Sequence, residues 1–177
     1  KAAAQAAAPA APAAPATWPA IEILIAKARC ATLLKGVEAV YIPLEPLRES
    51  DCGAPAPMQL MAIGKSPQVV ISPPAIVTCD MISALHSWVQ KDLQPSARRL
   101  LGSPIVKIES MSAYSCRNAY GRAKTRLSEH GRANALDIRG FLTASGQGPE
   151  LLADWGLTMR DVRAAEVAAA RAAAVKA

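Results

Sequence analysis

The sequence predicts an α+β fold, a small and mostly antiparallel sheet with helices packed on it. Three features lead there. Two stretches carry apolar residues at helical spacing, one opening at Ile21 and one running from Ala75 to Leu93. Several short β-type stretches are punctuated by Pro and Gly. The body from Trp18 to Gly156, about 140 residues, suffices for one modest core.

The elements follow in chain order. Residues 1–17 form an Ala/Pro tract with Pro9, Pro12 and Pro15 at every third position, which suits a semi-extended or disordered tether. Ile21, Leu24, Ile25, Ala28 and Thr32 then mark a helix that Gly36 stops. Residues 37–60 hold Pro43, Pro46, Pro55 and Pro57, so short strands or irregular chain are expected. Gln68 to Ile71 is a short strand ahead of Pro73-Pro74. Ile82, Leu85, His86, Val89 and Leu93 share one face of a helix that Pro95 is expected to end. A shorter helix, Ser96 to Leu101, stops at Gly102 in the C′ position. Ile105 to Ser110 and Ala135 to Thr143 read as strands, and Ser145-Gly146-Gln147-Gly148 turns the chain back towards Leu151-Leu152 as a hairpin. Asp154-Trp155-Gly156 is expected to be a turn with a packing tryptophan. An Ala-rich helical tail, 158–177, opens at Thr158, which can cap it with Asp161 three residues on. The domain proper is therefore 18–157.

Composition narrows the function classes. Alanine fills 38 of 177 positions and aromatics are only 4%, so the core must rest on Leu, Ile, Val and Met. No run approaches roughly 18 uninterrupted apolar residues, so no membrane span is expected. The net charge of +6 favours an anionic partner. A cluster of basic residues runs from Arg117 to Arg139, Lys124 included. No aromatic platform accompanies them, so nucleic acid rests on charge alone and ranks last among partners. Four cysteines, Cys30, Cys52, Cys79 and Cys116, are even in number and widely spaced, with no C-x-x-C pair. Two disulfides in an oxidising compartment explain them best, and three connectivities are open.

The densest chemistry lies between Tyr114 and Asp137. His130 offers an imidazole nitrogen and Asp137 a carboxylate oxygen, both zinc-ligand types, with small residues around them. By spacing alone a surface histidine beside an unrelated aspartate is the default. His86 sits on the apolar face of its helix and reads as a core or boundary histidine. Cys116 beside Arg117 could be a nucleophile with His130, but the disulfide reading is stronger. Glu129 is expected to face solvent.

The full string changes that weighting. Ser128-x-His130-x-x-Ala133-x-Ala135-x-Asp137 resembles the S-x-H-x-x-G-x-A-x-D motif of zinc D-alanyl-D-alanine carboxypeptidases and murein endopeptidases, with Ala133 in the glycine position. Ser112 to Arg117 resembles their S-G-Y-R strand. The closer likeness is to the bacterial extensin-like C-terminal domain family. It rests on Cys52-Gly53, Pro74-Ala75 to Cys79, Trp88-Val89, Gln94-Pro95 to Gly102, Tyr114 to Arg117 and the S-E-H-x-x-x-N-A-x-D-I run. The resemblance covers about Cys30 to Trp155.

That resemblance implies zinc held by His130 and Asp137, with Arg117 binding a substrate carboxylate or the charge developed in amide hydrolysis, and Ser128 and Tyr114 in support. It implies an exported cell-envelope protein, periplasmic or secreted, acting on or recognising peptidoglycan peptides or another anionic envelope polymer, alone or in a larger assembly. It also implies a third ligand, a histidine in a C-terminal H-x-H strand. The chain has two histidines and none follows His130. It is accordingly expected to be a fragment or a metal-poor relative. Two functions stay open, a zinc carboxypeptidase or endopeptidase and a non-catalytic envelope module that keeps the fold without turnover.

Overall fold

The computed structural model describes residues 17–122 and 125–176; the tract 1–16 and Lys124 lie outside the described residues. The element order is α1 (Ala20–Leu33), β1 (Ala39–Pro43), β2 (Leu47–Glu49), β3 (Cys52–Ala54), β4 (Met58–Ile63), β5 (Val69–Val77), α2 (Cys79–Trp88), α3 (Gln94–Leu101), β6 (Ile105–Ser112), β7 (Asp137–Thr143), α4 (Leu151–Asp154) and α5 (Met159–Lys176). A five-stranded sheet runs β1-β4-β5-β6-β7, and β2-β3 form a separate two-stranded ribbon. Only β5 and β6 pair in parallel; the other neighbours are antiparallel. The α+β expectation holds.

The parallel pair exists because α2 and α3 carry the chain back across the sheet. Their inner face and the sheet form one core. Leu60, Ile63, Val69, Ile71, Val77, Ile82, Val89, Ile105 and Ile108 are all 1% exposed or less. Each such side chain contributes about 1.5–3 kcal/mol of burial, which is how a chain so poor in aromatics is held. Trp88 and Phe141 close one side with rings 6.3 Å apart.

Proline marks the departures from expectation. The strand expected to stop at Ile71 continues to Val77, through Pro73-Pro74. Ala75–Val77 and Val69–Val70 pair with β4, and the residues between bulge out of that ladder. A bulge is where a strand tolerates residues without an N–H. The helix consequently begins at Cys79, capped by Thr78, whose hydroxyl accepts from the Met81 N–H at 3.3 Å. Nor does Pro95 end it. Residues Val89–Leu93 form a π turn, with the Gln94 N–H bonded to the Val89 carbonyl, and α3 continues beyond. The wider turn accommodates the missing proline donor.

Gln94 then locks α3 to the sheet. Its buried amide donates to the Ile105 carbonyl at 2.7 Å and accepts from the Ile105 N–H at 3.1 Å. Gly102 ends α3 with φ +65°, as expected of a C′ glycine. The hairpin after β7 is realised for one bridge, Gly140 opposite Glu150, before α4 begins. Trp155 is 70% exposed and does not pack. Thr158 and Asp161 cap α5 reciprocally, and α5 stands exposed from Met159 to Ala174.

Two disulfides join Cys30 to Cys79 and Cys52 to Cys116. The first ties α1 to the start of α2. The second ties β3 to the chain that leaves β6. No described helix is long and apolar enough to cross a membrane.

Candidate functional site

The site assembles at one end of the sheet, where β6 ends and β7 begins. Ser112 and Asp137 are register partners there. Past Ser112 the chain reaches Asn118, which bridges Leu127 antiparallel, and the residues after Leu127 form a loop carrying His130. Three backbone bonds dock that loop: Ser128 N–H to the Arg117 carbonyl, Ser115 N–H to the His130 carbonyl, and Thr78 N–H to the Ala133 carbonyl, at 3.1, 3.2 and 2.8 Å. The loop is thus anchored on the β6 extension and on the N-cap of α2.

His130 lies in a single 3-10 turn, Ser128 and His130 both buried. Its Nδ1 is 2.6 Å from the Ala113 carbonyl oxygen, which only accepts. Nδ1 is therefore the protonated nitrogen. Its Nε2 points at Asp137, 3.4 Å from Oδ1. The Asp137 side chain is half exposed while the imidazole is mostly buried. A neutral ring in this tautomer turns a lone pair towards a carboxylate. A proton or a cation between the two relieves that opposition.

The pair fits a divalent cation as half of a ligand set. Two ligands of a tetrahedral zinc, at about 2.0–2.1 Å each, stand about 3.3 Å apart. The Ala113 carbonyl orients the histidine from behind, as second partners of metal-bound imidazoles do. Among the described residues no third His, Cys, Asp or Glu joins them. Every cysteine is spent in a disulfide, and His86 stays half-buried on α2 outside the group.

The supporting residues take definite positions. The Ser128 hydroxyl accepts from the His130 N–H at 3.3 Å, bracing the turn. Tyr114 donates its phenol to Glu49 at 2.9 Å. Partial burial, then that bond and the charge of Glu49, push the phenol up to about 12. Cys116 is covalently held to Cys52 and is not a nucleophile. Arg117 is exposed, and its guanidinium makes no hydrogen bond or ion pair among the described residues. Glu129 faces solvent as expected, its side chain 40% exposed, and from there it also braces the loop. It accepts from Asn134 Nδ2 at 3.1 Å and lies 3.8–3.9 Å from Arg126 and Arg132.

Ala133 adopts φ +54°, ψ +31° and is fully buried. That left-handed conformation is the physical reason a glycine suits the position. Gly53, of the Cys-Gly pair, has φ +116°, and a Cβ there would meet the Leu47 carbonyl oxygen at 1.9 Å. Only glycine lets the β2-β3 ribbon close and bring Cys52 under the site.

The family model of the extensin-like protein C-terminus matches residues 28–176. The chain belongs to that family. No curated protein and no solved structure matches it. In this extensin-like domain the motif residues divide into two groups. Gly53, Cys79, Gln94 and Gly102 build the fold, while Ser128, His130, Asn134 and Asp137 converge on the end of the sheet. Glu49, the Ala113 carbonyl and Thr78 belong to the site's frame and carry no sequence signal of their own. Each acts across the fold, through an atom whose partner is remote in the chain. The cleft of about 470 Å³ lined by Leu101, Thr143, Gln147 and Asp154 lies at the opposite end of β7 and brings no histidine.

Proposed function

We propose that this domain is an exported, zinc-peptidase-like module that acts on or recognises peptidoglycan peptides. The observation that carries the reading is the oriented pair, His130 Nε2 facing Asp137 Oδ1 at 3.4 Å with Nδ1 held by the Ala113 carbonyl. His130 and Asp137 would hold the zinc, which when bound lowers the pKa of a coordinated water and polarises an amide carbonyl. Arg117, exposed and with a guanidinium that makes no hydrogen bond or ion pair among the described residues, offers a fork of donors to a substrate carboxylate. Ser128, Glu129 and Asn134 keep the His130 turn in place. The net charge of +6 suits an acidic wall polymer, and the two disulfides suit an oxidising compartment outside the cytoplasm.

A second reading has its own observation. Catalytic zinc sites use three protein ligands and an open position, and only two ligands stand together among the described residues. On that reading the domain binds the envelope without turnover. One experiment separates the two. Purified stem peptides are incubated with the zinc-supplemented protein and with its His130→Ala variant. Cleavage that chelation and the substitution both abolish supports the enzyme. Retention of wall material by both proteins without cleavage supports the binding module.

A further inference from the structure

A second constellation sits on the other face of the β2-β3 ribbon, one residue from Glu49. The Arg48 guanidinium stacks on the Trp18 ring, 4.3 Å from its centroid. Trp18 is itself fixed, its indole N–H donating to the Leu47 carbonyl at 2.7 Å. A guanidinium stacked on an aromatic face keeps its in-plane donors free for an acceptor. Arg48 has none: it makes no ion pair, and its Nε is the one buried side-chain nitrogen or oxygen without a partner among the described residues. The described residues supply that Nε no acceptor, and the rest of the guanidinium lines an adjoining groove.

The groove beside it, about 290 Å³, is lined by Thr17, Trp18, Ile23, Glu45, Pro46 and Arg48. Glu45 is exposed and makes no hydrogen bond or ion pair among the described residues. A carboxylate and a guanidinium share one small groove without bonding each other. Thr17 and the apolar Ile23 and Pro46 complete it. We propose that this groove binds the α-amino acid group of a small zwitterion, its carboxylate on the Arg48 fork and its ammonium on Glu45. A simple anion would meet Glu45 as a like charge, and a simple cation would meet Arg48. Only a ligand bearing both signs satisfies both walls. A free amino acid and the α-amino acid end of an acylated diamino acid share this chemistry. The site is separate from the His130–Asp137 pair and does not depend on zinc.

The test is a titration of the full chain followed by ¹H–¹⁵N NMR at the Trp18 indole N–H and the Arg48 Nε–H. The probes are alanine, acetate, methylammonium and Nε-acetyl-lysine. Saturable shifts of both signals with alanine are expected, with acetate and methylammonium weaker by about tenfold or more. Nε-acetyl-lysine binding tighter than alanine assigns the ligand to a side-chain-linked amino acid, and equal binding assigns it to free amino acids. Arg48→Gln should abolish saturation. Glu45→Gln, at an exposed position where folding is not at stake, should reduce alanine to the acetate level. No saturable shift with alanine or Nε-acetyl-lysine, or acetate binding as well as alanine, overturns the proposal.

Discussion

His130 Nε2 stands 3.4 Å from Asp137 Oδ1, and the Ala113 carbonyl sits 2.6 Å behind the same ring. The histidine is thereby aimed along one line, from a backbone acceptor to a half-exposed carboxylate. Three segments create that line: the extension of β6, the docked 3-10 turn and the first residue of β7. Several neighbouring features exist to hold them, and each gives a measurable consequence.

Tyr114 should titrate far above an ordinary phenol, at about 12. Its folded value lies above the unfolded one, near 10. Its contribution is therefore fully present below about pH 10 and is lost as pH rises towards about 12. Ultraviolet titration of the wild type against Tyr114→Phe should show one late-ionising phenol removed by the substitution. A wild type whose phenols all ionise near 10 contradicts the Tyr114–Glu49 bond.

Ala133 carries left-handed strain of about 1–2 kcal/mol, and a glycine there costs about 0.5–1 kcal/mol in chain entropy. Ala133→Gly should leave stability unchanged or raise it by up to about 1 kcal/mol. Ala133→Val, crowding a fully buried site, should cost about 2 kcal/mol or more. Denaturant midpoints of the two variants check the order; a valine more stable than glycine contradicts the backbone geometry.

Gln94 satisfies both backbone groups of Ile105. Gln94→Ala strands a buried N–H and a buried C=O, at about 1–3 kcal/mol each before relaxation. A loss of about 2–4 kcal/mol is expected on urea unfolding. A loss under about 0.5 kcal/mol, the range of ordinary surface changes, would deny the clamp.

The Cys52–Cys116 bond closes a sequence separation of 64 residues. The chain-entropy account gives about 4 kcal/mol for such a loop. The Cys52→Ser/Cys116→Ser variant should lose stability of that order. Because Arg117 and Tyr114 flank the bond, amide exchange should rise first along 113–118. Uniform exchange across the sheet instead would mean that the bond does not hold this segment.

The limits of sequence reading are physical. Helical periodicity and Gly102 located α1, α3 and most of α2, since those signals are local, but Ala75–Val77, read as helix, pairs in β5, and Leu151-Leu152, read as a returning strand, opens α4. The prolines misled in both directions. Pro73-Pro74 sits in a bulge inside β5, and Pro95 follows a π turn, so each is absorbed by backbone geometry that no spacing rule encodes. The His130–Asp137 pair was legible because both residues fall in one short motif. Its frame was not, because Glu49, Ala113 and Thr78 act through contacts between distant segments. Trp155 was misjudged for the converse reason: a large apolar side chain suggests packing, and here no element lies over it.

The most direct test of the account is zinc stoichiometry by equilibrium dialysis and elemental analysis, on the wild type, His130→Ala and Asp137→Asn. About one zinc per wild-type chain, lost in both variants, is the predicted result, since each substitution removes one of the two proposed ligands. Circular dichroism of the variants confirms that the fold persists. A wild type that takes up no zinc, or variants that keep it, would contradict the assignment of His130 and Asp137 as a metal-holding pair.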